Sequence, residues 1–247
     1  GGARRGAGRK LRGERALVTH APRARLTKND PVLVTTHLLP GLPNLRRDST
    51  LVRLREALSA GADRFGFRLV EYSIQSNHLH LIVEAEDARS IARGMQGLLV
   101  RVAKALNREW GRRGKVLVDR YHARVLRAPR EVRSALVYVL QNARKHGAHL
   151  IGADACSSGP WFRGWLDRVA RMPSPIASAH SWLLSSGWKR GGLISTREMP
   201  VLRPEEVRTG HPHRNGRGRS GSRVDGARDA RPIAVGVRGG TCGFRAR

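Results

Sequence analysis

Between residues 31 and 147 the spacing of apolar positions changes several times, and each change marks an element. Val32 to Leu38 is a β-rich run closed by Pro40-Gly41. Asp48-Ser49-Thr50 offers an N-cap, and Leu51, Leu54, Leu58 and Ala62 then recur at helical spacing, stopping near Gly66. Phe67 to Gln75 and His78 to Ala85 read as strands on either side of Ser76-Asn77, which predicts a hairpin. Asp87 can cap a helix running from Ala88 to about Arg112, with Ile91, Met95, Leu98, Leu99, Val102 and Leu106 on its apolar face and Gly111 and Gly114 at its end. His122 to Ala128 reads as a further strand. Pro129 opens a last helix over Glu131–Lys145, ended by Gly147.

The order is β-α-β-β-α-β-α. A ferredoxin-like (RRM-like) antiparallel sheet of the α+β class satisfies it, because each helix can cover a sheet face. Residues 31–147 are therefore expected to form the main domain. Beyond it, Trp161, Trp165, Trp182 and Trp188 stand among Leu183, Leu184 and Leu193, which predicts a small helical appendage over 148–202 packed on that domain. Residues 1–30 carry Arg4, Arg5, Arg9, Lys10, Arg12 and Arg15 among glycines without apolar periodicity, and read as a disordered basic arm. Residues 203–247 read as a disordered Gly/Arg-rich tail.

Charge narrows the partners. The 247 residues include 47 Lys and Arg against 19 Asp and Glu, a formal charge of +28. Nucleic acid is the first polyanion to consider, since each cation near a phosphate releases condensed counterions. An anionic membrane is disfavoured by the lack of a basic amphipathic helix with an aromatic face. A solvated basic surface would carry the same charge with no ligand. No run approaches the ~18 apolar residues of a membrane span, and the first thirty residues lack a signal-type apolar region. Two distant cysteines, Cys156 and Cys242, build neither a disulfide framework nor a CxxC metal site. The expectation is a soluble intracellular protein.

Two features carry chemistry. In Asn77-His78-Leu79-His80-Leu81-Ile82-Val83 the period of two puts both imidazoles on one strand face and Leu79, Leu81 and Val83 on the other. Paired imidazoles can bind a divalent ion, but a third ligand must come from elsewhere. Without one they are a structural pair. On the last helix, turning about 100° per residue, Val132, Leu136, Val139 and Leu140 cluster opposite Tyr138. Asn142 lies about 40° from Tyr138, Lys145 about 20° and Gln141 about 60° the other way. One polar stripe thus joins a phenol, two carboxamides and a cation. The plain alternative is a tyrosine bridging core and water.

Together, Gln75-Ser-Asn-His-Leu-His-Leu-Ile-Val-Glu84 and Tyr138-Val-Leu-Gln-Asn142-Ala-Arg-Lys-His-Gly147 resemble the single-tyrosine HUH transposases, the insertion-sequence-200 type and their REP-associated relatives. The resemblance covers roughly Pro31 to Gly147. It implies that His78 and His80 match the metal-binding pair, Tyr138 the nucleophile, and Asn142 the third ligand by its i+4 spacing, with Gln141 as the other candidate. It implies a divalent metal, Mg²⁺ or Mn²⁺, and a 5′-phosphotyrosine intermediate in the cleavage and rejoining of single-stranded, hairpin-forming DNA. A prokaryotic cytoplasmic, nucleoid-associated setting goes with that. Asp119-Arg120-Tyr121-His122-Ala-Arg124 resembles the stretch before the family's last strand, which makes Arg120 and Arg124 candidate phosphate contacts. Tyr121 is the alternative nucleophile but lacks a carboxamide one turn on.

The long basic helix, with Arg89, Arg93, Arg101, Lys104, Arg108, Arg112 and Arg113, is a candidate track for a DNA backbone, as is Lys145 beside the tyrosine. His122, His146 and Lys145 are candidates for activating the phenol. Some family members work as dimers with the tyrosine helix supplied in trans and others as monomers, so a homodimer stays open. Competing readings are a ferredoxin-like DNA- or RNA-binding module without catalysis, a domesticated hairpin-binding relative, and a zinc hydrolase using Glu84, which shares the histidines' strand face.

Overall fold

A computed structural model describes residues 26–118, 120–145, 150, 152–169 and 174–200. The expected tail over 203–247, most of the basic arm, and His146 and Asp119 lie outside the described residues.

The strands are β1 (Val32–His37), β2 (Asp63–Arg64), β3 (Phe67–Ile74), β4 (His78–Ala85) and β5 (His122–Val125). The longer helices are α1 (Asp48–Ala60), α2 (Ala88–Glu109) and α3 (Pro129–Leu140), followed by the one-turn α4 (Asn142–Lys145). The five strands form one open sheet in the order β2-β3-β4-β1-β5, and every pairing is antiparallel. Setting β2 aside, the order is that of a ferredoxin-like sheet. The expected α+β class and element order therefore hold.

β2 is the addition. Its two residues carry no apolar alternation, and both are exposed. The turn to β3 uses Phe65 and Gly66 at φ 54° and 71°. Gly66 lies in the left-handed region that side chains rarely adopt, which is where glycine is favoured.

Two cores lie on opposite sides of the sheet. On one, α1 and α2 bury Leu51, Leu54, Leu58, Met95, Leu98, Val102 and Leu106 against Val34, Tyr72, Leu79, Leu81 and Val83. On the other, α3 buries Val132, Leu136, Val139 and Leu140 against Leu33, Val70 and Ile82, together with Trp165, Leu184, Trp188 and Ile194 from further along the chain. Burial of such side chains contributes roughly 1.5–3 kcal/mol each.

Local signals mostly act as expected. The Asp87 carboxylate accepts from Ser90 N–H at 2.6 Å and starts α2. Pro129 opens α3. Asp48 sits inside the first turn of α1, and Arg47 is the N-cap residue with no side-chain cap. The helix expected to run unbroken to Lys145 is interrupted at Gln141, where Arg144 N–H bonds back only three residues, to Gln141 O at 3.0 Å. The region expected to be a helical appendage is mostly irregular. Among the described residues it contains α5 (Trp182–Ser185) and two 3₁₀ turns at Gly159–Trp161 and Gly187–Gly191.

Candidate active site

The β1–β4 register sets His37 opposite His78 and Thr35 opposite His80, and the β3–β4 register sets Ser73 beside His80. Alternation turns the histidines toward α3, while Leu79, Leu81 and Val83 enter the core beneath α1 and α2. His78 and His80 therefore share a face, as their spacing implies.

Their geometry is convergent. His78 Nε2 and His80 Nε2 lie 3.0 Å apart. Each ring is held through its other nitrogen: His78 Nδ1 is 2.9 Å from Asn77 Oδ1, and His80 Nδ1 is 3.0 Å from Thr35 Oγ1. The tautomer with protons on the two Nδ1 atoms, donated to these oxygens, would leave both Nε2 lone pairs free for a metal ion. His37 stacks on His78 with ring centroids 5.1 Å apart.

α3 brings Tyr138 to the same point. Its Oη is 3.4 Å from His80 Nε2, and the two rings meet edge to face at 4.8 Å. Lys145 Nζ lies 4.8 Å from the centre of the tyrosine ring.

The two carboxamides separate. Gln141 donates from Nε2 to Ser195 O at 3.1 Å and accepts from Arg144 Nε at 3.0 Å. Asn142 is fully buried, and neither Oδ1 nor Nδ2 has a hydrogen-bond partner among the described residues. A buried amide without partners costs about 1–3 kcal/mol, so this side chain is suited to an incoming group. No three His, Cys, Asp or Glu side chains converge among the described residues. Two imidazole nitrogens converge, and the unpartnered Asn142 carboxamide lies at the start of α4. Two nitrogen donors are compatible with a divalent ion that also takes oxygen ligands, and are too few for a closed structural zinc site.

The other candidates fall in different places. Tyr121 packs against the core beneath α1 and α2, away from the side of the sheet that carries Tyr138. Arg124 is tied to Glu131 at 3.0 Å, and Glu131 also caps the start of α3 through Arg127 N–H and Ala128 N–H. Arg120 is half-buried just before β5, and exposed His122 pairs with Thr35 at the edge of the site. Arg93 and Lys104 are exposed on α2, while Arg101 is half-buried and donates to Gly97 O at 3.0 Å. All three lie across the sheet from the histidines. Glu84 is engaged as well: its carboxylate accepts from His180 N–H at 2.8 Å and Ser181 N–H at 2.9 Å. His37, Thr35 and Asn77 are site residues that sequence reasoning missed. Only the strand register identifies the first two.

Comparison with known proteins agrees with the motif. Residues 44–129 match the family model described as IS200-like transposase, a span that takes in His78 and His80 and stops short of Tyr138. Among solved structures, a REP-associated tyrosine transposase bound to a REP hairpin aligns at 17% identity with a TM-score of 0.43, over 53% of this chain and 75% of that one. A Deinococcus radiodurans R1 protein assigned to the transposases aligns at 14% identity with a TM-score of 0.35, over 55% of this chain and 100% of that one. No curated protein matches the chain. The resemblance is thus to the IS200-like transposases, and among the described residues no helix is long and apolar enough to cross a membrane.

Proposed function

We propose that this IS200-like chain is a metal-dependent single-strand DNA nickase and transposase with Tyr138 as its nucleophile. The observation that carries the reading is the placement of Tyr138 Oη 3.4 Å from His80 Nε2, itself 3.0 Å from His78 Nε2.

The phenol oxygen attacks the phosphorus of a single-stranded substrate. An O–P bond forms to Tyr138 and the P–O3′ bond breaks, with its electron pair passing to O3′. That oxygen takes a proton and leaves as a 3′-hydroxyl, and the phenol proton passes to solvent or a neighbouring base. The strand stays attached through a 5′-phosphotyrosine. One phosphodiester is exchanged for another, so a second 3′-hydroxyl can displace the tyrosine and rejoin DNA without ATP.

Mg²⁺ or Mn²⁺, when bound, would polarise the phosphate and offset its developing charge. His78, His80 and Asn142 would hold it, with Gln141 the weaker candidate because its carboxamide is already engaged. Thr35 and Asn77 keep the imidazoles in the tautomer that such binding needs. Lys145 Nζ, 4.8 Å from the centre of the Tyr138 ring, is the proposed cation beside the phenol. Arg120 and Arg124 are proposed phosphate contacts near the site, and Arg93, Arg101 and Lys104 more distant ones. The solved relative is bound to a REP hairpin, and hairpin-forming single-stranded DNA is the substrate class proposed here, in a prokaryotic nucleoid.

Covalent trapping tests the reading. The protein is incubated with Mn²⁺ and labelled hairpin oligonucleotides from DNA flanking its own gene, then run on denaturing gels. A protein–DNA adduct lost with Tyr138→Phe and His78→Ala is expected. Tight hairpin binding with no adduct in Mg²⁺ or Mn²⁺ would instead assign the chain to the non-catalytic hairpin-binding modules.

A further inference from the structure

Among the described residues after 150, none supplies a side chain to the site, yet this region ties together the two elements that carry it. At one end it meets the histidine strand. Glu84 lies on β4, on the same face as His78 and His80, and is 1% exposed. Its two carboxylate oxygens accept from the backbone N–H groups of His180 and Ser181. A buried carboxylate that receives two N–H donors and lies 3.4 Å from Arg68 Nε is a firm anchor.

From that anchor the chain crosses to α3. The Ser181 hydroxyl accepts from Leu184 N–H at 3.3 Å and starts α5. Leu184 and Trp188 then enter the core shared with Val132, Leu136, Val139 and Leu140, where Trp188 Nε1–H donates to Leu184 O at 3.0 Å.

The far end holds α3 on both sides of Tyr138. Before it, Arg133 donates to Gly192 O at 3.0 Å and Leu193 O at 3.1 Å, and pairs with Glu198 at 2.6 and 3.0 Å. After it, Gln141 Nε2 donates to Ser195 O at 3.1 Å. The guanidinium fork thus engages four acceptor oxygens on three residues, an arrangement that lysine cannot reproduce.

We infer that residues 180–198 form a strap that fixes the tyrosine helix over the histidine strand of the same chain, with Arg133 and Gln141 as positioning residues for Tyr138. The inference rests on the reading of Tyr138 as nucleophile. Small displacements of a reacting group cost large factors in rate: about 1 Å can cost 10²-fold. A strap that joins β4 to both ends of α3 limits such displacement and keeps Tyr138 beside the histidines of its own chain.

Three measurements test this. The first uses no activity: hydrogen exchange of the α3 amides in Arg133→Ala and Gln141→Ala. Exchange at least tenfold faster across 132–141, with the β3–β4 amides unchanged, is expected. Should Arg133→Ala lose protection throughout the molecule, Glu198→Gln, which keeps volume and removes only the ionic partner, is the variant read. Protection of α3 equal to wild type in these variants, or loss spread evenly over the fold in Gln141→Ala and Glu198→Gln, overturns the strap.

The second is the rate of adduct formation with the Mn²⁺ and hairpin-oligonucleotide panel. In both variants the rate at saturating oligonucleotide should fall at least tenfold, with the dissociation constant within twofold of wild type. Equal losses in both quantities, or no loss in rate, overturn the positioning role. The third mixes Tyr138→Phe with His78→Ala. Adduct no greater than the two separate proteins give is expected, and restoration toward wild type overturns assembly within one chain. Wild-type protein that forms no adduct at all fails the nucleophile reading, and the exchange experiment still decides the strap.

Discussion

Tyr138 Oη and His80 Nε2 lie 3.4 Å apart although 58 residues separate them in the chain. The contact joins the polar face of α3 to the polar face of β4, so the phenol and the paired imidazoles address one point. Tyr138→Phe removes only a hydroxyl from a half-buried ring. It should change stability by no more than about 1 kcal/mol and abolish the covalent adduct. Tyr121→Phe, on the other side of the sheet, should retain the adduct. Thermal melts run beside the trapping gels check both points, and an adduct surviving Tyr138→Phe would remove Tyr138 from the mechanism.

The unpartnered Asn142 carboxamide and the engaged Gln141 carboxamide make opposite predictions for metal binding. Mn²⁺ should raise the melting temperature of the wild-type protein. A ligand at a hundred times its Kd stabilises by about 2.7 kcal/mol. His78→Ala, His80→Ala and Asn142→Ala, each compared with its own metal-free melt, should lose most of the Mn²⁺ shift. Gln141→Ala should start lower, because two hydrogen bonds are lost, and should keep the shift. A titration of melting temperature against Mn²⁺ concentration separates the two residues, and an intact shift in Asn142→Ala would reverse the assignment.

The same contrast shows what could be read before the fold was known. The alternation through His78–Ala85 placed both imidazoles on one face, because a strand has only two faces to choose between. The helical wheel put Tyr138 and Asn142 on one stripe, and it could not show the break at Gln141, whose side chain is engaged by Ser195 and Arg144. His37 could not be read at all. It is one histidine at the end of an apolar run, and only the antiparallel register sets it against His78. Glu84 could be read as a catalytic base, because sequence shows its face and not the two N–H groups from 96 and 97 residues away that occupy it. Periodicity reports which face a residue takes, and long-range partners decide what it does there.

A pH dependence follows from Glu71 on β3. Burial raises its pKa from 4.5 to about 8, against the opposing hydrogen bond from Ser158. A carboxyl whose folded pKa exceeds its unfolded value holds a proton in the folded state that the unfolded chain has released. Its contribution is therefore fully present below about pH 4.5 and is lost as pH rises through about 8. Glu71→Gln keeps the shape without the ionisation. The stability of wild type relative to Glu71→Gln should fall across this window, by an amount on the order of a few kcal/mol. Urea unfolding of both proteins at pH 5, 6.5 and 8 measures it, and a constant difference would mean that the carboxyl titrates normally.

The basic face of α2 and the site lie on opposite sides of the sheet, and this separates binding from chemistry. Arg93 and Lys104 are exposed there, with the apolar side of the helix turned to the core. They can meet a DNA backbone that wraps the protein and cannot reach a phosphate beside Tyr138. Each lysine or arginine that neutralises a phosphate of a single strand contributes about 0.7 to the slope of log affinity against log salt. Arg93→Ala and Lys104→Ala should each reduce that slope by about this amount and weaken hairpin binding most at low salt. The rate of adduct formation at saturating oligonucleotide should not change. Lys145→Ala should do the reverse, because its ammonium lies 4.8 Å from the Tyr138 ring: a slower saturated rate, with a smaller change in salt slope. Salt-dependent binding isotherms measured with single-turnover rates decide between the two surfaces, and a rate that falls in Lys104→Ala would place α2 within reach of the scissile phosphate.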